Sequence, residues 1–168
     1  MLIDLDPTAG PAWVIGAGHV GCRKVQTLLR HGFEVQWATG SQPAAAYADL
    51  AEQVTLAGGR VLHVNYPDAA IDFSDASMVV AATSEPRVNA AILRTAHRAG
   101  VLAVAVDPHN DGTARFVAQR QLGPHAWVGV STGGHDPKLS VEVVEHLSTT
   151  LDNVWRARLN AHAKEATC

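Results

Sequence analysis

Val14-Ile15-Gly16-Ala17-Gly18-His19-Val20-Gly21 joins a short apolar run, residues 12–15, to a segment whose apolar residues Val20, Val25, Leu28 and Leu29 share one helical face until Gly32 stops it. A G-x-G-x-x-G sequence between strand and helix has a physical reading. The first glycine allows a tight turn, the second lets phosphates approach the backbone, and the third lets helix and strand pack closely. The unpaired N–H groups and positive dipole end of the helix then favour an anion. The stretch predicts a strand-turn-helix unit that holds a dinucleotide over Gly16, Ala17, Gly18, His19, Val20 and Gly21.

Outward from this unit the alternation continues. Residues 33–38 read as a second strand, 43–52 as an Ala-rich helix and 60–66 as a third strand. Residues 78–83 read as a buried strand, followed by a helix between Pro86 and Gly100 and a further strand at 101–106. Strands alternating with helices require crossover connections and a parallel sheet, so residues 1–112 are expected to form an α/β, Rossmann-like, doubly wound domain. Beyond it, Pro108, Asn110, Asp111 and Gly112 carry turn chemistry, 113–119 and 127–131 resemble strands, and a helix is expected from Pro137 to about Ala163. Residues 113–168 are too few for a core of their own, and Val141, Val144, Leu147, Leu151 and Trp155 recur at helical spacing. They read as a small strand and helix extension that dimerises.

Of the 168 residues 47% are hydrophobic and only 17% charged, a composition that makes a globular core and excludes a disordered chain. The 13 Lys and Arg against 16 Asp and Glu leave a net charge of −3, which attracts neither nucleic acid nor an anionic membrane. An anionic ligand must therefore be held by a local cluster of cations. The apolar stretches are broken well before a membrane-spanning length, and the N-terminal MLIDLDPTAGP lacks a basic region leading an apolar segment, so a cytoplasmic location is expected. Cys22 and Cys168 have neither zinc spacing nor a disulfide framework and are expected as free thiols. His109, His125 and His135 form no i, i+4 pair, and no metal site is expected.

The tip of the second strand, Gln36-Trp37-Ala38-Thr39-Gly40-Ser41, lacks the acid that commonly binds the adenosine ribose, which leaves the Thr39 and Ser41 hydroxyls for that task. Those hydroxyls discriminate poorly between NAD and NADP. Arg23 and Lys24 follow the glycines inside the first helix, as a solvated face or as partners of an acidic substrate. A carboxylate after the fifth strand, Asp107, would point into the crevice where open α/β sheets bind ligands, unless it only forms the turn before Pro108.

The run Val14-Ile15-Gly16-Ala17-Gly18-His19-Val20-Gly21-Cys22-Arg23-Lys24-Val25 resembles the V-V-G-G-G-x-V-A-x-R-K-V segment of the precorrin-2 dehydrogenase/sirohydrochlorin ferrochelatase family of sirohaem synthesis. Ala76-Ser77-Met78-Val79-Val80-Ala81-Ala82-Thr83, with Asn89 after it, is similar to that family's A-D-L-V-I-A-A-T segment and its following Asn. Val130-Ser131-Thr132-Gly133-Gly134-His135-Asp136-Pro137 resembles its I-S-T-G-G-x-S-P turn. The resemblance implies NAD-dependent oxidation of precorrin-2 to sirohydrochlorin and, in some members, insertion of a ferrous or cobalt ion. It also implies that Asp107, in Val104-Ala105-Val106-Asp107, matches the catalytic Asp of N-V-V-D, with Val104 where the family has Asn.

On the same resemblance Thr83 falls on the cofactor side and Asn89 on the substrate side. Precorrin-2 bears several carboxylates, for which Arg23, Lys24, Arg115 and Lys138 are the candidate cations. Ser131, Thr132, Gly133, Gly134 and His135 offer hydroxyl, backbone N–H and imidazole groups to the same acids. The family further implies a homodimer whose C-terminal segments complete each tetrapyrrole crevice. Two other functions fit the residues: a non-catalytic dinucleotide or tetrapyrrole binding protein, and a metal chelatase without dehydrogenase activity.

Overall fold

A computed structural model describes residues 2–40, 47–64, 66, 71–106, 112–123, 126–151, 155–158 and 161. The chain divides into two units, Ile3–Arg115 and a second made of Met1–Leu2 with Phe116–Cys168.

The first unit alternates strand and helix in chain order: β1 (Ala12–Ile15), α1 (His19–Arg30), β2 (Val35–Thr39), α2 (Ala48–Leu56), β3 (Arg60–His63), β4 (Met78–Ala81), α3 (Pro86–Arg98) and β5 (Leu102–Ala105). The five strands form one sheet in the order β3-β2-β1-β4-β5, and every pairing is parallel. β1 sits at the centre, with Ile15 opposite Ala38 of β2 on one side and Ala81 of β4 on the other. All four residues of β4 are buried, as expected of a parallel strand covered on both faces. α1 buries Gly21, Cys22, Val25 and Leu28, and α3 buries Asn89, Ile92, Leu93 and Ala96. In α1 Val25 and Leu28 are buried as their spacing predicts, whereas Val20 on the same expected face is exposed and Leu29 only half-buried. α1 and α3 both stop before a left-handed glycine, Gly32 and Gly100, whose next residue's N–H returns to Leu28 O and Ala96 O.

Several boundaries move. α2 is described from Ala48 and runs on to Leu56, past the expected end at 52, because the left-handed Gly58 is the first residue able to turn the chain. β3 ends at His63, and Tyr66 instead sends its hydroxyl to Thr95 Oγ1 on α3 at 3.0 Å. The expected strand at 113–119 is divided between the two units. Thr113 Oγ1 accepts the Ala103 N–H at 2.9 Å and the Ala114 N–H donates to Ala103 O at 3.1 Å, so residues 112–114 lie along β5.

In the second unit β6 (Ala118–Gly123) and β7 (Ala126–Val130) pair antiparallel, with Ala118 opposite Val130, and α4 (Pro137–Thr150) packs on both strands. Asp136 caps α4 by accepting the Leu139 N–H at 2.9 Å, and Pro137 occupies the first turn, where its missing N–H costs nothing. The helix expected to about Ala163 stops at Thr150, since Leu151 adopts extended backbone (φ −63°, ψ 114°), and helical structure resumes at 155–158. The β-branched Thr149 and Thr150 just before that end are weak helix formers. α4 buries only Ser140 and Val144, while Leu139, Val141, Val143 and Leu147 are exposed.

Candidate functional site

The sheet reverses its winding at β1. β2 and β3 lie to one side and β4 and β5 to the other, so a crevice opens beyond the carboxyl ends of β1 and β4. The glycine motif occupies the β1 side of that crevice, where Gly16 and Gly21 admit no side chain and Gly18 differs from both. Gly16 has φ 120°, and a Cβ there would lie 2.3 Å from Ala82 O. Gly21 has its own limit, since a Cβ would lie 2.4 Å from Gly16 O, where helix meets turn. Gly18 adopts extended backbone (φ −69°, ψ 172°) open to any residue, and a Cβ there would meet nothing within 4 Å. Its hydrogen side chain therefore leaves room outside the protein, where a ligand would approach. No side chain caps α1 at Gly18, so its first N–H groups are left to an anion. This cradle fits a nucleotide pyrophosphate.

Two contacts absent from the sequence reading hold the turn. The Trp37 indole N–H, from the buried centre of β2, donates to Gly16 O at 2.9 Å. The Cys22 thiol donates to Ala17 O at 3.4 Å, and burial pushes that thiol up from its ordinary range. Trp37 lies 21 residues from its partner, a separation at which nothing in the sequence signals the pair. His19 opens α1 with an exposed ring whose Nδ1 is hydrogen-bonded to the Tyr47 hydroxyl beside α2, and Val20 is also exposed.

Across the crevice Thr83 follows β4. Its hydroxyl donates to Asn89 Oδ1 at 2.7 Å and accepts the Glu85 N–H at 3.2 Å. Asn89 itself is 3% exposed. Thr39 ends β2 at 1% exposure, while the neighbouring Gly40 is open. Arg23 is exposed on α1, and Lys24 is partly buried there. Burial, with the adjacent Arg23 charge adding to it, pushes Lys24 down to about 8. Arg115 is exposed at the end of this unit. Ser41 and Asp107 lie outside the described residues, as do His109 and His125.

The second unit gathers the other candidates at the start of α4. Ser131 Oγ accepts the Gly133 N–H at 3.1 Å. Thr132 Oγ1 accepts the Asp136 N–H at 3.0 Å, donates to Asp136 O at 2.8 Å and meets Ser140 Oγ at 3.0 Å, so the turn uses up its capacity. Gly133 and Gly134 both have positive φ, at 66° and 87°. His135 and Lys138 are exposed. Among the described residues no group of three or more His, Cys, Asp or Glu stands ready to hold a metal ion, and no helix is long and apolar enough to cross a membrane.

Comparison with known proteins agrees with this geometry. Siroheme synthase of Sodalis glossinidius is 30% identical over 160 residues, which is 89% of this chain and 32% of that protein. Siroheme synthase 1 of Serratia proteamaculans is 30% identical over 84% of this chain and 28% of its own length. Siroheme synthase of Azotobacter vinelandii is 32% identical over 76% of this chain and 26% of its own. The chain thus spans about a third or less of the curated relatives it matches. Among solved structures, SirC, a precorrin-2 dehydrogenase, superposes with a TM-score of 0.65 at 21% identity, covering 94% of this chain and 73% of that one, which supports the fold. A family model for NAD(P)-binding proteins matches residues 3–118, a span that takes in the whole first unit with its glycine cradle, and the chain belongs to that NAD(P)-binding family.

Proposed function

We propose that the chain is an NAD-dependent dehydrogenase that oxidises precorrin-2 to sirohydrochlorin. The observation that carries the reading is the open approach at Gly18, set in a turn where Gly16 and Gly21 admit no side chain. The siroheme synthase relatives and the three motifs supply the substrate class. Bound nicotinamide would supply the hydride acceptor for a two-electron oxidation. The reduced tetrapyrrole loses a hydride from carbon and a proton as its conjugation extends, and Asp107, two residues beyond β5, receives the proton. Arg23 and Lys24, one turn into α1, and Arg115 draw substrate carboxylates towards this chain. In the second unit Ser131, the Gly133-Gly134 backbone, His135 and Lys138 offer hydroxyl, N–H, imidazole and ammonium groups suited to carboxylates. At the ribose, Ser41 and the exposed backbone at Gly40 take the place of the missing acid, with Thr39 shaping the strand end behind them.

The second unit supports a homodimer. Its exposed Leu139, Val141, Val143, Leu147, Trp127 and Trp155 are an apolar surface out of proportion to its two buried helix residues.

The test is an absorbance assay in which the purified chain receives enzymically made precorrin-2 and NAD, with the sirohydrochlorin spectrum as the expected outcome. Asp107→Asn keeps the shape but cannot take the proton, so turnover falls about 10²- to 10⁴-fold while NAD affinity holds. Tight NAD binding with no turnover by the wild-type chain would refute the dehydrogenase reading. Wild-type turnover in Asp107→Asn would remove Asp107 from the chemistry.

A further inference from the structure

The end of β4 poses an accounting problem for backbone hydrogen bonds. The Ala82 N–H still reaches β1, donating to Ile15 O at 2.8 Å, and on the other side the Val106 N–H donates to Ala81 O at 3.3 Å. One residue later, among the described residues, no strand supplies Thr83 with a partner of this kind. Asn89 does so instead: its Oδ1 accepts the Thr83 N–H at 3.0 Å and its Nδ2 donates to Thr83 O at 3.0 Å. A single carboxamide thus pairs with both backbone groups of one residue, as a neighbouring strand would. The Thr83 hydroxyl adds a third bond, at 2.7 Å to Oδ1, and fills that oxygen's second lone pair.

The segment held in this way is the wall against which the glycine turn is pressed. A Cβ on Gly16 would lie 2.3 Å from Ala82 O and 2.9 Å from Thr83 N. Nothing but hydrogen fits between the first glycine and the Ala82-Thr83 peptide. Asn89 is 3% exposed, and its Oδ1 has no lone pair left for a ligand.

We infer that Asn89 is a positioning residue for the nucleotide: it fixes the Ala82-Thr83 peptide against Gly16 and so holds the shape of the crevice that Gly18 opens, without touching substrate itself. The inference rests on the first unit binding NAD(P) at that crevice. It also changes what the Asn89 position in the family resemblance stands for, from a substrate contact to a support of the cofactor cradle.

Asn89→Asp keeps the acceptor, loses the donor, and sets a carboxylate oxygen against Thr83 O. In calorimetric titration of the full chain with NADH, the expected result is a Kd raised about tenfold in protein that melting curves show to be folded. Thr83→Val removes the hydroxyl's bonds to Asn89 Oδ1 and to the Glu85 N–H but leaves the two bonds between Asn89 and the Thr83 backbone, and its Kd should rise less than about threefold. An Asn89→Asp protein that binds NADH as the wild type does overturns the inference, whether its melting temperature falls or its tetrapyrrole KM rises. Should that variant not fold, hydrogen exchange in the wild type decides. A Thr83 amide protected like those of β4 supports the clamp, and one exchanging like an exposed loop amide refutes it. Wild-type protein that binds neither NADH nor NADPH overturns the reading of the crevice itself. Equal binding by wild type and variant overturns only the role of Asn89.

Discussion

Gly18→Ala separates binding from folding, and the structure gives the size of each effect. The new methyl group meets nothing within 4 Å, and the backbone there (φ −69°, ψ 172°) suits any residue. Removing a glycine restricts the unfolded chain and stabilises the fold by about 0.4–1 kcal/mol. Alanine is a poorer helix cap than glycine, which costs a similar amount, on the order of 1 kcal/mol. The two offset each other, so Tm should stay within about 4 °C of the wild type. Binding is another matter, because the methyl occupies the space a pyrophosphate would use to reach the first N–H groups of α1. Losing one or two charge-assisted hydrogen bonds, at about 1.5–3 kcal/mol each, weakens NADH binding roughly 10- to 100-fold or more. Gly21→Ala is the control. Its Cβ would lie 2.4 Å from a backbone oxygen that cannot swing away, so overpacking should cost about 1–3 kcal/mol and lower Tm by roughly 2–12 °C. Calorimetric titration and thermal melting of both variants check the contrast. A Gly18→Ala protein with wild-type NADH affinity would refute the argument that the open side of Gly18 is the ligand's path.

Lys24 gives a pH dependence with a definite sign. Burial holds it down to about 8 in the folded chain against an ordinary 10.5, so between those values the unfolded chain carries a proton that the folded chain lacks, and stability rises with pH across the window. Denaturant midpoints should show this rise in the wild type and a flatter curve in Lys24→Met, and parallel curves would count against a buried ammonium. Asp136→Ala removes the side chain that caps α4 and should cost about 1 kcal/mol in chemical denaturation, with an unchanged midpoint refuting the cap.

The first unit was legible because its elements carry their own punctuation. Apolar runs too short for helices marked β1 and β4, glycines stopped α1 and α3, and Pro86 opened α3 at the position a helix tolerates. The second unit was harder to read. Ala118-Gln119-Arg120-Gln121-Leu122-Gly123 alternates weakly, and the residues before it are taken up along β5, a tertiary event with no local signature. Nor does a proline or glycine announce the interruption at Leu151. In the site, composition and spacing identified the cradle, whereas the supports of the cradle came from elsewhere in the chain. Trp37 reaches Gly16 by folding alone, and the motif that pointed to Asn89 could not tell a side chain facing a ligand from one spent on the backbone.

The return of residues 112–114 along β5 also bears on how the protein behaves when crowded. A parallel sheet ends in two rows of unpaired backbone groups, each a template on which another chain's strand can grow into an aggregate. On the β5 side the Ala103 N–H and C=O are already taken, by Thr113 Oγ1 and the Ala114 N–H. On the far side β3 is only four residues long and carries exposed Arg60 and His63 at its ends, which makes a short and polar landing site. The same few residues that return along β5 therefore guard the sheet against polymerising edge to edge, a protection that the glycine cradle and its crevice do not themselves provide.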